Sequence, residues 1–268
     1  MLQITIFGAN GRMGQTLLRL IAAADDLSLA GALTEPGHAD IGRDAGELAG
    51  AGSLGISLSD DPQAALADAG VAIDFTLPAA TADNLAACAQ AKVPLVLGTT
   101  GLDADTENAL AAAAAALPIV YGRNMSVGVN LLTELVRLAA ATLGDDYDIE
   151  ISETHHRHKL DAPSGTALQL GEAAAQGRGV ALDSVAVAGR QGRSDARVPG
   201  SIGFASLRAG SVVGDHSVMF AADEEVLDLS HRALDRAVFA RGALRAARWL
   251  PGKAPGLYGM RAVLGLSD

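Results

Sequence analysis

Apolar positions in the first half of the chain fall in short β-branched runs, separated by stretches in which they recur at helical spacing. Leu2-Gln3-Ile4-Thr5-Ile6-Phe7 reads as a strand, residues 8–14 as a glycine-rich turn, and Leu17, Leu18, Leu20 and Ile21 as one face of a helix. The unit then repeats. Residues 27–33 predict a strand that ends at Thr34-Glu35, and the Gly-, Ala- and Asp-rich segment 37–55 predicts a loop with one short helical turn. Strands at 71–76, 94–98 and 119–121 alternate with helices at 79–91 and through the alanine tract 111–116. Alanine is the best helix former, so that tract predicts structure rather than disorder. Repeated strand-helix units predict an α/β fold, a doubly wound parallel sheet with its ligand loops at the carboxyl ends of the strands.

The alternation stops after a long amphipathic helix at 131–143. Asp148 to Glu153 alternates polar with apolar and predicts a strand. Further strands are expected at 184–188, 203–207, 211–213, 217–220 and 225–229, with turns at Ala209-Gly210 and Gly214-Asp215. This is the pattern of an α+β meander with one or two helices, its outer face suited to burial against a copy of itself. A helix from about 233 to 250 is expected to return to the first domain. The predicted division is therefore 1–125 plus 236–268 for one domain and 126–235 for the other.

Composition narrows the function classes. The 268 residues suffice for one large or two modest domains, and 49% apolar with 19% charged residues is the balance of a folded chain. Aromatics are 3%, so the core must be aliphatic and alanine-rich. The formal charge of −11, with no basic stripe, argues against nucleic acid. Cys88 is the single cysteine and sits among Leu85, Ala86, Ala87 and Ala89, which predicts a buried, inert thiol and excludes a disulfide within the chain. No secretory signal is evident, and the apolar run near 109–120 is mostly alanine and broken by Pro118, too short and weakly hydrophobic to span a bilayer. A cytoplasmic protein with no membrane partner is the expectation.

Against this acidic background His155, His156, Arg157, His158 and Lys159 are consecutive, although the chain has only six histidines. Pro163-Ser164-Gly165-Thr166 and an alanine-rich run follow, a turn that leads directly into a helix N-terminus. Unpaired N–H groups and the positive helix pole favour an anion there. The combination predicts a site that holds an anionic substrate and hands it a proton. If the strand at 148–153 persists, alternation puts His155 and Arg157 on one face and His156 on the other. No metal is expected: the histidines lack the i, i+4 spacing of helical ligand pairs, and no cysteine completes a set. The plain alternative is a solvated basic loop. His38, His216 and His231 are isolated and are read as structural.

The turn at 8–14 has the spacing G-x-x-G-x-x-G, a relative of the dinucleotide fingerprint whose glycines admit a tight turn and a close pyrophosphate. Glu35 lies about twenty residues beyond Gly14, where a carboxylate can accept from ribose hydroxyls. Thr76-Leu77-Pro78, Gly98-Thr99-Thr100-Gly101 and Gly122-Arg123-Asn124-Met125 fall at later strand ends and are candidates to line the nicotinamide side of a cofactor.

Together, residues 8–14, Asp74-Phe75-Thr76, residues 98–101, Asn124-Met125-Ser126-Val127-Gly128-Val129-Asn130, residues 155–167 and Val198-Pro199-Gly200-Ser201-Ile202-Gly203-Phe204-Ala205 resemble the 4-hydroxy-tetrahydrodipicolinate (dihydrodipicolinate) reductases of lysine biosynthesis. The likeness spans almost the whole chain. It implies a homotetramer, a Rossmann-type domain for NADH or NADPH, and a smaller α+β domain for substrate and tetramerisation. By the same resemblance His155 and Lys159 fall on the proton-handling pair, and His156, Gly165 and Thr166 on substrate-binding positions. Gly8, Ala9, Asn10, Gly11, Arg12, Met13, Glu35, Gly98, Thr99, Thr100, Gly122, Arg123, Asn124 and Met125 fall on cofactor positions. The implied reaction is NAD(P)H-dependent reduction of 4-hydroxy-tetrahydrodipicolinate to tetrahydrodipicolinate. A lysine among cations is expected to have its pKa pushed down, towards a useful donor range.

Two departures bear on this. The family often has arginine after the acid of the second strand, where it can pair with the 2′-phosphate of NADPH, but here the residue is Pro36, and NADH is expected to serve at least as well. Met125 stands where an aromatic is common, and a flexible thioether can fill that space. The rival readings are a non-catalytic NAD(P)-binding sensor, which has no need of an acid pair beside an anion cradle, and another imine or semialdehyde reductase on the same fold.

Overall fold

The computed structural model of the protein describes residues 1–193 and 195–266. It resolves into two compact units: Met1–Val127 together with the chain from Ala237 onward, and Gly128–Arg236.

The first unit is a parallel sheet wrapped on both faces. Its strands are β1 (Leu2–Phe7), β2 (Leu27–Leu33), β3 (Leu58–Ser59), β4 (Val71–Asp74), β5 (Leu95–Leu97) and β6 (Pro118–Tyr121). The connecting helices are α1 (Arg12–Ala22), α2 (Ala45–Ala49), α3 (Pro62–Leu66), α4 (Pro78–Ala91) and α5 (Ala104–Ala114). A seventh strand, Gly256–Tyr258, comes from the far end of the chain and pairs parallel to β6, giving the order (256–258)-β6-β5-β4-β1-β2-β3. The order turns back at β1 and β4, the point where such sheets open a crevice for a ligand.

Alternation along β1 sorts the two faces. Ile4 and Ile6 pack with Leu17, Leu18 and Ile21 of α1 and with Ala243, Leu244 and Met260, whereas Phe7 packs with Leu85, Leu110 and Leu117 on the opposite face. Truncating a fully buried leucine such as Leu17 or Leu18 to alanine is expected to cost about 2–5 kcal/mol. The buried Thr5 hydroxyl donates to the Ala65 carbonyl at 2.6 Å, so its polar atom is not stranded. β3 and α3 were not anticipated. The helix is a single turn with Asp61 as N-cap, accepting from Gln63 and Ala64 N–H, and proline at its first position.

The second unit opens with α6, whose bounds Val127–Leu143 begin earlier than the periodicity suggests, and continues with β7 (Asp148–His155) and α7 (Gly165–Gly177). Then come α8 (Leu182–Val185), β8 (Ala186–Ala188), β9 (Ile202–Arg208), β10 (Gly214–Ala221) and β11 (Val226–Ala233). The stretch Val127–Asp146 is long and apolar enough to cross a bilayer, but it buries Leu132, Val136 and Ala140 in the core of this unit and carries the Glu134–Arg137 ion pair at 3.2 Å.

The sheet of this unit is mixed, in the order β11-β10-β7-β9-β8, not a simple meander. β7 pairs antiparallel with β10 and parallel with β9, because α7 makes the crossover that a parallel neighbour requires. Two expected strands are revised. Residues 182–185 form a helical turn before β8, and residues 211–213 lie in the turn before β10, which starts at Gly214 where a turn was expected. α9 (Ala237–Trp249), β12 (Gly256–Tyr258) and α10 (Met260–Leu264) complete the chain and belong to the first unit.

Candidate active site

The glycine-rich turn after β1 lies at the crevice between β1 and β4. Gly8 has φ +72°, a backbone that favours glycine, and a Cβ there would lie 3.1 Å from Thr76 Cγ2. Gly14 lets α1 approach, since a Cβ would fall 2.2 Å from the Gly8 carbonyl oxygen. Gly11 caps α1 with no side-chain acceptor, so the first-turn N–H groups are left for a ligand. A pyrophosphate fits this cradle. Arg12 beside it is exposed, Ala9 is buried with its N–H donating to Leu33 O at 2.8 Å, Met13 is half-buried, and the Asn10 carbonyl accepts from Gln15 at 3.0 Å.

The loops after β4 and β5 are tied together by one buried carboxylate. Asp74, fully buried, accepts from the Thr76 N–H at 2.7 Å, the Thr76 hydroxyl at 2.7 Å and the Asn84 amide at 2.9 Å, with the Thr99 hydroxyl at 3.5 Å. Burial raises its pKa above the ordinary carboxylate range, against the pull of these hydrogen bonds. Thr99 also donates to Thr76 O at 3.0 Å, so Gly98, Thr99 and Thr100 are held against Thr76. Glu35 and Pro36 are exposed at the end of β2. Among the residues after β6, Gly122 and Arg123 are half-buried or exposed and Asn124 accepts from Ser126 N–H at 2.9 Å, while the Met125 side chain is buried in the core at 1% exposure.

In the second unit β7 extends two residues further than predicted and carries His155 inward. His155 and Glu153 are 8% and 2% exposed, on the face that packs against α7, while His156 lies just past the strand end and is half-buried. The Nδ1 of His155 stands 2.5 Å from Glu153 Oε2. Arg208 donates to both oxygens of Glu153 at 2.9 Å, delivered there by the parallel register that sets His155 opposite Arg208. Burial alone raises Glu153, but hydrogen bonds from Arg208, His155 and Ser206 outweigh it and hold the carboxyl below its usual range.

Lys159 reaches Asp161 at 2.9 Å, an anion that the argument from neighbouring cations left out. Burial opposes ionisation of Asp161, yet the Lys159 hydrogen bond and charge win and hold it below the usual range. His156 is pushed down by burial first, then by the positive charges of Arg236, His155, His158 and Lys159. Among the described residues its buried Nδ1 has no partner.

The helix that follows supplies the cradle. Ser164 is the N-cap of α7, its Oγ accepting from Ala167 N–H at 3.2 Å, and a Cβ at Gly165 would meet nothing within 4 Å, so there is open space beside Gly165. His155, His156, Lys159, Gly165 and Thr166 thus fall on one strand end, one loop and one helix start of the same unit. Arg236, Glu153 and Arg208 were missed by sequence reasoning, while His216, read as structural, is buried with its ring against that of His155. Among the described residues no group of three or more His, Cys, Asp or Glu is placed to hold a metal.

Comparison with known proteins matches both units. Residues 2–125 match the family model described as "Dihydrodipicolinate reductase, N-terminus", and residues 128–264 the one described as "Dihydrodipicolinate reductase, C-terminus". A 4-hydroxy-tetrahydrodipicolinate reductase of Ruegeria pomeroyi is 56% identical over 263 residues, covering 98% of each chain. One of Thiobacillus denitrificans is 53% identical over 264 residues, again covering 98% of each. In fold, the chain is similar to a dipicolinate-bound dihydrodipicolinate reductase of Paenisporosarcina sp. TG-14, with TM-score 0.75, 22% identity and 97% of each chain covered.

Proposed function

The chain belongs to the dihydrodipicolinate reductase family, and on that premise we propose how its own residues divide the work of the reaction. It is an oxidoreductase that reduces 4-hydroxy-tetrahydrodipicolinate to tetrahydrodipicolinate in lysine and diaminopimelate biosynthesis, with NADH or NADPH as reductant. The sensor reading and that of a different imine reductase therefore fall away.

We assign the cofactor to the first unit. Gly8 to Met13 receive the pyrophosphate at the N-terminus of α1, Glu35 accepts from the ribose, and Gly98 to Thr100 with Gly122 to Met125 line the nicotinamide side. When bound, the nicotinamide supplies the hydride. Because Met125 is buried, its part is to shape the floor rather than to face the ring.

The substrate goes to the second unit. Its two carboxylates suit the first-turn N–H groups of Gly165 and Thr166, the cations Lys159 and Arg236, and the imidazole of His156 as a hydrogen-bond donor. The 4-hydroxyl must leave as water to give the conjugated imine; the electron pair that then arrives with the hydride leaves that system anionic, and a proton must follow. Lys159 donates it, with His155 as the acid or relay beside it. In the free enzyme Asp161 holds the Lys159 ammonium at 2.9 Å, so the lysine must exchange that partner for substrate. The observation that carries this reading is the convergence of a strand-end histidine, a loop lysine and an open helix N-terminus in one unit.

The test is NADH oxidation on substrate generated in situ by the preceding synthase. Lys159→Ala should lower kcat by about 10²–10⁴-fold while KM for NADH moves little. An unchanged kcat removes Lys159 from the chemistry.

The reading also carries a homotetramer and a cytoplasmic location, where the nicotinamide and biosynthetic pools are held. Exposed apolar side chains on the second unit's sheet, Leu207, Met219 and Val226 at 56%, 39% and 55%, favour burial against another copy. Light scattering on the eluted protein tests it, a monomer mass counting against the assembly.

A further inference from the structure

Glu153 does more in this fold than neutralise Arg208. Its Oε2 faces Nδ1 of His155 at 2.5 Å, and its Oε1 accepts from the N–H of Ser164 at 3.3 Å. Ser164 is the N-cap that starts α7, so one carboxylate holds both the imidazole and the residue that begins the anion cradle. Arg208 closes the arrangement from behind, donating to Glu153 and also to the Asp161 carbonyl at 2.6 Å, two residues beyond Lys159. The backbone of the intervening loop is fixed at its start as well, Ala209 N–H donating to His155 O at 2.8 Å and Arg157 N–H to Gly210 O at 3.2 Å.

We propose that Glu153, clamped by Arg208, is a positioning residue for the reduction: it holds His155 with the proton on Nδ1, leaves Nε2 as the nitrogen that exchanges protons, and registers that ring against the start of α7. The inference rests on the role given to His155 above. An ionised carboxylate can only accept, so the nitrogen facing it must donate. The hydrogen bonds of Arg208 and Ser206 keep Glu153 ionised despite its burial. Nε2 lies on the other side of the ring, beside Gly214, where a Cβ would come within 3.1 Å of it. The ring cannot turn over without setting a C–H against Glu153 and losing the bond. Throughout the proton transfer Glu153 stays a carboxylate; the proton leaves Nε2.

Two measurements test this. Long-range ¹H–¹⁵N correlation on histidine-labelled wild-type protein, at a pH where His155 is neutral, should show the Nδ1–H tautomer, and an Nε2–H tautomer overturns the inference without any variant. In kinetics, Glu153→Gln should lower kcat by between about tenfold and a thousandfold with KM for NADH unmoved, because the amide can present N–H to Nδ1 and reverse the tautomer. Added to His155→Gln, the same substitution should cost nothing further in kcat. If Glu153→Gln does not fold, the pair Glu153→Gln with Arg208→Met, which removes both ions together, takes its place. Wild-type kcat in Glu153→Gln beside an impaired His155→Gln overturns the inference alone, as does an equal further loss in the double variant. Wild-type kcat in His155→Gln overturns the role of His155, and this inference with it.

Discussion

The rings of His155 and His216 meet edge to face, with centroids 5.0 Å apart and planes at 75°, and His155 is in hydrogen-bond contact with the Glu153 carboxylate whereas His216 faces the Ser164 hydroxyl. The Nε2 of His216 is 3.2 Å from Ser164 Oγ, and its buried Nδ1 has no partner among the described residues. Around it stand His155 and Glu153 from β7, His231 from β11 and the adjacent Asp215. Burial, aided by His155 and His231 and opposed by Glu153 and Asp215, pushes His216 down to about 4.

This predicts an acid-sensitive stability. His216 is neutral in the fold, whereas the unfolded chain takes up the proton near 6.5, so its contribution is complete above pH 6.5 and is lost as the pH falls towards 4. The loss is about 3 kcal/mol at full protonation. Unfolding midpoints in urea at pH 7 and pH 4.5 measure it, and His216→Gln should flatten the difference; equal slopes in both proteins would refute it.

Gly214 is the floor on which the two rings rest. An alanine there would put a methyl group 3.1 Å from His155 Nε2 and 3.5 Å from His216 Cε1, and His155 is held by Glu153. Gly214→Ala should destabilise by about 1–3 kcal/mol through overpacking and lower kcat without raising KM for NADH. Steady-state kinetics decide; wild-type kcat would mean that the ring gives way freely.

Asp74 is the corresponding anchor in the first unit. Asp74→Ala strands the Thr76 N–H and leaves the Asn84 amide only its 3.1 Å bond to the Thr76 hydroxyl, at about 1–3 kcal/mol for each donor left unpaired. The loops carrying Thr76 and Thr99 should loosen, raising KM for NADH more than it lowers kcat. A lowered Tm with an unchanged KM would limit Asp74 to stability.

The end of β2 bears on the choice between NADH and NADPH. Glu35 can accept from ribose hydroxyls but repels a 2′-phosphate, and Pro36 offers neither charge nor N–H to offset it. NADH should therefore give at least the kcat/KM of NADPH, and Pro36→Arg should raise the NADPH value. Comparison of both cofactors on freshly made substrate tests this, a strong native preference for NADPH counting against it.

What could be read from the chain beforehand was local. The strand at Leu2, the glycine turn and the apolar face of α1 carry their signals within twenty residues, and the turn at Pro163 to Thr166 announces the start of α7. β3 has only two residues and no periodicity to detect, although Asp61-Pro62 just after it carries the cap-then-proline signature of the start of α3. The triad of His155, Glu153 and Arg208 was beyond reach for another reason. Arg208 stands next to Glu153 because β7 and β9 run parallel in one register, and nothing near either residue specifies that register. Arg236 is hidden likewise, its charge reaching His156 across eighty positions of sequence.

The last strand of the nucleotide unit, β12, lies beside β6 but follows it only after the whole second unit and α9. On the ribosome, the inserted unit is therefore complete in sequence while the sheet that precedes it still lacks its outer strand and the apolar cover of Ala243, Leu244 and Met260. Until Gly256–Tyr258 have been made, β6 is left as an unpaired edge, which places an exposure to aggregation between completion of the inserted unit and completion of β12.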